Sequence, residues 1–185
     1  MYVNDFVLLA IHAMDGKIQG KTKLQKIVYF LGNLTGQLDE LGYRPHYYGP
    51  YSQEVADSVG SLKYLGFIDQ NILGYSRDQR GFEVRRYDYS LTDDGMQIVN
   101  ELIDSEADLW NRINAAATIL RKARDLDYMK LSVAAKTFYM LGENKAKPNI
   151  DYLVEAAKHF GWKVTQSEVE EAHRFLGDLG LIEMS

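Results

Sequence analysis

Four histidines, no cysteine and an adjacent pair of aspartates bound the chemistry open to this protein of 185 residues. His12, His46, His159 and His173 stand far apart. No H-x-x-x-H or H-E-x-x-H spacing sets two imidazoles on one helical face to grip a metal. His12 falls in an apolar helical pattern and His46 among tyrosines, where packing accounts for both. Without cysteine there is no thiolate ligand, disulfide or cysteine nucleophile. The stretch GKIQGKTK at 16–23 contains Gly-Lys-Thr, but its first glycine stands too close to the second for a P-loop, and no buried strand precedes it. Neither a G-x-S-x-G elbow nor a GxGxxG turn occurs. Asp93 and Asp94 need no catalytic role, because acids at a helix start complement its positive end. The expectation is a protein without catalytic residues, metal or cofactor.

Binding chemistry is better supplied. Residues 16–36 carry Lys17, Lys21, Lys23 and Lys26 and no acid, whereas 92–108 carry Asp93, Asp94, Glu101, Asp104, Glu106 and Asp108 and no base. The net charge is -5, so this segregation, rather than the sum, would govern a polarised face. Between the two lies the aromatic stretch Tyr43, His46, Tyr47, Tyr48 and Tyr51, suited to protein recognition because tyrosine offers rigid amphipathic contact area.

The elements that must position these groups begin at 4–15, a helix capped by Asn4 with Phe6, Leu9, Ala10, Ala13 and Met14 inward. GKIQG reads as a turn. A second helix follows from Thr22, whose spacing to Gln25 is that of a capping box, and Gly32 and Gly36 weaken and end it. Its stripe is Leu24, Ile27, Val28, Leu31 and Leu34, which leaves Lys21, Lys23 and Lys26 toward water. Residues 43–48 should be extended and Gly49-Pro50 a turn. Ser52 should cap a third helix buried through Val55, Val59, Leu62 and Leu65.

Phe67–Leu73 and Phe82–Leu91 read as two strands around a polar tip, followed by a helix capped by Thr92. Residues 93–124 should be helical with a break at Asp104-Ser105, packed either on the protein's own C-terminal module or on a partner subunit of a homodimer. Further helices fit 127–141, the segment ending at Gly161, and a last one capped by Thr165 or Ser167. LGDLGLIE near the end echoes LKYLGFID at 62–69: either a second helix-turn-helix-like unit or simply a common way for helices to end.

KTKLQKIVYFL followed by HYYGPYSQEVADSVGSLKYLGFI resembles the pattern shared by YwgA-like proteins and the related Panacea (SocA-like) domain. The match covers about residues 5–100, and 105–185 resemble the same proteins more loosely. The resemblance implies antitoxin- or adaptor-type proteins that work by gripping another protein, such as a toxin or a protease substrate.

The expected architecture is mainly α with a small antiparallel β wing. A winged helix-turn-helix over 1–100 is followed by a long helix and a C-terminal helical module over 101–185. Two functions stand side by side. One is a non-enzymatic regulatory protein that binds a protein partner through the tyrosine stretch. The other is a dimeric DNA-binding transcriptional regulator, holding phosphate with Lys17, Lys21, Lys23, Lys26, Arg77, Arg80, Arg85 and Arg86 and reading bases with Gln53 or Ser58. Against DNA, the outward face of the third helix sets Glu54 and Asp57 against the single cation Lys63. No basic leader and no apolar run of about 18 residues occurs, which makes a cytoplasmic, membrane-free protein the expectation.

Overall fold

The computed structural model describes residues 2–77, 83–122, 127–143 and 149–183, with the side chains of 73–77, 83–86 and 143 excepted. The order of elements is α1 (Val3–Ala13), β1 (Lys17–Gln19), α2 (Lys21–Thr35), a 3-10 turn (Leu38–Leu41), α3 (Gln53–Tyr64), β2 (Ile68–Arg77) and β3 (Glu83–Leu91). Five more helices follow: α4 (Asp93–Ser105), α5 (Ala107–Lys122), α6 (Tyr128–Glu143), α7 (Ile150–His159) and α8 (Gln166–Asp178). The protein is mainly helical, with one three-stranded antiparallel sheet in the order β1-β3-β2.

Two helices lie at the centre. In α1, Val7, Leu8 and Ile11 are as buried as the expected inner face, because α3, α4 and α5 surround it. In α2 every residue from Leu24 to Gly32 is buried, since α5 covers one side and α6 another. The expected amphipathic stripe is therefore only part of the buried surface. A helix shielded on all sides must bury polar groups too, and Gln25 and Lys26 are among them.

α5 packs on this pair. Arg121 donates to the Ala13 carbonyl at 2.8 Å and pairs with Asp15 at 2.9 Å, while Arg112 donates to the Thr35 carbonyl at 3.3 Å. Each arginine satisfies a carbonyl at the C-terminal end of a central helix, where no intrahelical donor remains. The expected break in 93–124 falls at Glu106; α4 packs on α1, and α5 on α1 and α2.

Local rules succeed and fail for visible reasons. Thr165 and Glu168 complete a capping box on α8, and Ser52 and Thr92 cap α3 and α4. Asn4 and Thr22 do not act as caps: α1 and α2 begin earlier, at Val3 and Lys21, and the residues before them, Tyr2 and Gly20, supply no side-chain cap. The segment expected as a turn, GKIQG, contains strand β1, in which Ile18 is buried opposite Tyr89 of β3. Lys17 on β1 meets the buried carboxylate of Asp88 at 3.3 Å. The echoed Leu-Gly segments are two copies of one helix ending. Phe67 and Leu181 donate backward to Leu62 and Leu176, with Gly66 and Gly180 at positive φ. No described helix is long and apolar enough to cross a membrane.

Thr92 ties the sheet to the helices: its hydroxyl accepts from Gly95 N–H at 3.0 Å and donates to the Gly66 carbonyl at 2.7 Å. This brings α4 so close to the turn before β2 that a Cβ on Gly95 would lie 2.0 Å from the Phe67 carbonyl oxygen. Backbone yields less readily than the end of a flexible side group, so Gly95→Ala should lower unfolding free energy in urea by about 1–3 kcal/mol. An unchanged midpoint would mean that this approach is looser than described.

Candidate functional site

The aromatic stretch forms a loop whose two feet are locked. Arg44 and Tyr51 exchange both backbone hydrogen bonds at 2.9 Å, closing 44–51 into a small ring of backbone. Gly49 turns within it at φ +90°, where a Cβ would also come within 3.0 Å of Lys136 on α6.

Helix α2 holds this loop from below. Gln25 receives Ser52 N–H on its side-chain oxygen at 3.1 Å and donates to the Ser52 carbonyl at 2.9 Å, as a neighbouring strand would. Lys26, 1% exposed, donates its ammonium to the Pro50 carbonyl at 2.5 Å. The Tyr43 hydroxyl donates to the Gln25 carbonyl at 2.7 Å, with its ring against Tyr29. From far along the sequence, the buried indole of Trp162 donates to the His46 carbonyl at 2.6 Å. The ammonium of Lys136 lies 5.7 Å from the centre of that indole.

The loop and the helix below it are the two blocks, KLQK and YGPYS, that resemble a family. Their residues are used on each other. Gln25 completes no capping box, and Lys26 does not face water, because the loop and α6 cover the side of α2 that the apolar stripe left open.

The expected partner-binding residues divide accordingly. Tyr43 is half-buried and turned inward; Tyr51 is half-buried, its ring 5.1 Å from that of His46. Tyr47 and Tyr48 point outward, 67% and 55% exposed, their rings edge to face with centroids 5.0 Å apart. His46 is exposed through its ring while its carbonyl is held. Beside them, between the loop and the first turns of α2 and α3, opens a cleft of ≈ 570 Å³. Lys21 and Lys26 of α2, Arg44, His46 and Tyr48 of the loop, and Glu54 of α3 are on its walls.

The expected nucleic-acid residues scatter. Lys17 pairs with Asp88, Lys26 is buried, Lys23 is half-buried and Lys21 is exposed. Gln53 is exposed, but it bonds Asp57 at 2.7 Å. Ser58, expected to face a base, is 4% exposed, because α3 packs that side on α1. Arg77, Arg85 and Arg86 belong to β2 and β3, with side chains outside the described residues, and Arg80 lies wholly outside them.

Lys136 and Trp162 are missing from any reading of the loop's own sequence, since Trp162 acts across 116 residues. His12 lies against Trp110 at 5.1 Å, and burial holds its pKa below the usual histidine value. Among the described residues no three His, Asp or Glu side chains gather to hold a metal ion.

A mainly helical protein with a small antiparallel sheet and a loop clamped on its central helix is thus the class that fold and site define. No family model matches the sequence. It is 24% identical over 172 residues to the uncharacterized protein YwgA of Bacillus subtilis (strain 168), an alignment spanning 93% of each protein, which supports a YwgA-like family.

The clamp carries a charge at a cost. Burial, reinforced by repulsion from Lys136, drives the Lys26 pKa down from the usual lysine value to about 7. In the unfolded state Lys26 keeps its ordinary value near ~10.4, so between the two the unfolded state holds the extra proton. Stability therefore rises with pH across that window, and the cost is fully present below pH 7; Lys136, also lowered by burial, acts in the same direction. Tyr29, Tyr43 and Tyr89 are raised by burial and oppose this only above their unfolded value, near ~10. Urea unfolding should show stability climbing from about pH 7 to 9, by up to about 1.4 kcal/mol per unit, with Lys26→Met flattening the slope. A slope undiminished in Lys26→Met would contradict the assignment.

Proposed function

We propose that this protein is a non-enzymatic regulatory module that binds another protein through the clamped tyrosine loop, on a winged-helix scaffold. The observation that carries it is the outward Tyr47–Tyr48 pair on a loop fixed at Arg44, His46, Pro50, Tyr51 and Ser52. Exposed aromatic rings raise the free energy of a lone monomer, and fixing their backbone in advance removes most of the ordering cost of association. Rigid, exposed tyrosine at the centre of a patch is the usual anchor of protein recognition.

The winged-helix reading is supported by the order helix, strand, helix, helix, strand, strand through β3, and by β3 lying between β1 and β2. The antitoxin- or adaptor-like role follows from the resemblance of the KLQK and YGPYS blocks, which here build the loop and its support. The alternative, a DNA-binding regulator, is weakened by the same geometry. Lys17 and Lys26 are spent internally, and Ser58 is buried.

The test is capture by the purified protein from a lysate of its source organism, with Tyr47→Ala and Tyr48→Ala beside the wild type. One protein should be retained stoichiometrically and its affinity fall about 30-fold or more in each variant, with thermal midpoints unchanged. Retention indifferent to both tyrosines would contradict the reading. In parallel, random duplex DNA at low salt should show no micromolar binding; binding that collapses between low and physiological salt would favour the DNA alternative.

A further inference from the structure

The cleft beside the tyrosine pair has a chemistry of its own. We propose that it receives a carboxylate of the protein partner, from an aspartate, a glutamate or the partner's C-terminus, held by Arg44 and Lys21. The inference rests on the interaction reading above and names what the partner must present.

Three cations, Lys21, Lys26 and Arg44, meet one carboxylate, Glu54, on these walls, in a protein whose net charge is -5. Among the described residues neither Arg44 nor Lys21 makes an ion pair, and both are exposed. Glu54 is already engaged, its carboxylate accepting from the Ser52 hydroxyl at 3.3 Å.

Behind them Lys26 sits buried with the neutral Pro50 carbonyl as its hydrogen-bond partner and, among the described residues, no carboxylate in ion-pair reach. Lys26 lines the same cleft of ≈ 570 Å³, so an anion that enters meets a buried amine whose charged form it favours. A planar carboxylate matches the arginine fork, and the volume takes one acidic residue with its flanking backbone. Tyr48 is on the same wall and Tyr47 packs on it, so one partner segment reaches rings and cations together. A nucleic-acid phosphate backbone fits less well, because Glu54 stands on the wall formed by α3 and Asp57 lies one turn further along the same exposed face.

The test is calorimetric titration of the full-length protein at low salt with an oligoglutamate peptide, inorganic phosphate and random duplex DNA as separate probes. Oligoglutamate should bind saturably. Arg44→Gln and Lys21→Gln should each weaken it about tenfold or more, while Lys63→Gln on the outer face of α3 leaves it unchanged. Circular-dichroism melts of the two cleft variants should match the wild type, since neither residue is buried. No binding, or equal losses in Lys63→Gln, overturns the proposal. So does inorganic phosphate competing as well as the peptide, or duplex DNA binding more tightly through Arg44. Tyrosine-dependent capture of a partner with no oligoglutamate binding sinks the cleft and leaves the interaction reading standing. Arg44-dependent oligoglutamate binding with tyrosine-independent capture does the reverse.

Discussion

A pair of adjacent polar residues buried on the central helix decides the rest. Gln25 and Lys26 occupy positions on α2 that elsewhere along the helix are apolar, and each is buried only because a backbone acceptor or donor meets it. An unpaired amide or ammonium there would cost several kcal/mol at least. The loop from Tyr43 to Ser52 supplies those partners. The dependence runs both ways, because Ser52 and Pro50 are themselves buried and their backbone groups need the helix.

Fixing the loop from beneath has consequences above it. With Pro50 and Ser52 held from α2 and His46 held from Trp162, little backbone freedom remains for Tyr47 and Tyr48. The C-terminal helices thereby share in shaping a surface built by the N-terminal half. Leu131, Ala134 and Ala135 of α6 and Ala172 and Leu176 of α8 join the same buried cluster as α1 and α2. Arg112 and Arg121 of α5 close the far ends of both central helices.

Much of this is legible in the order of residues, and the failures share one physical cause. The caps at Ser52, Thr92 and Thr165, the two long strands and the break between α4 and α5 all depend on neighbours within a few residues. Lys26 and Ser58 depart from expectation because a charge or hydroxyl on an outward phase looks solvated until a distant element covers it. Strand β1 escapes notice because three residues carry too short an alternation; only its pairing with β3 marks it. For the site, the tyrosines are readable as a group, but which of them face out is not. Tyr43 and Tyr48 differ in role because one hydroxyl finds the Gln25 carbonyl while the other ring packs on the exposed Tyr47.

Everything above the loop depends on α2 immobilising it through Gln25 and Lys26. Amide hydrogen exchange at Ser52 reports on this without intermediaries, because that N–H ends on the Gln25 side-chain oxygen. Ser52 should exchange nearly as slowly as the α2 core amides, and in Gln25→Ala its protection should fall about tenfold or more while mid-helix amides keep theirs. Fast exchange at Ser52 in the wild type, or unchanged protection in Gln25→Ala, would contradict it.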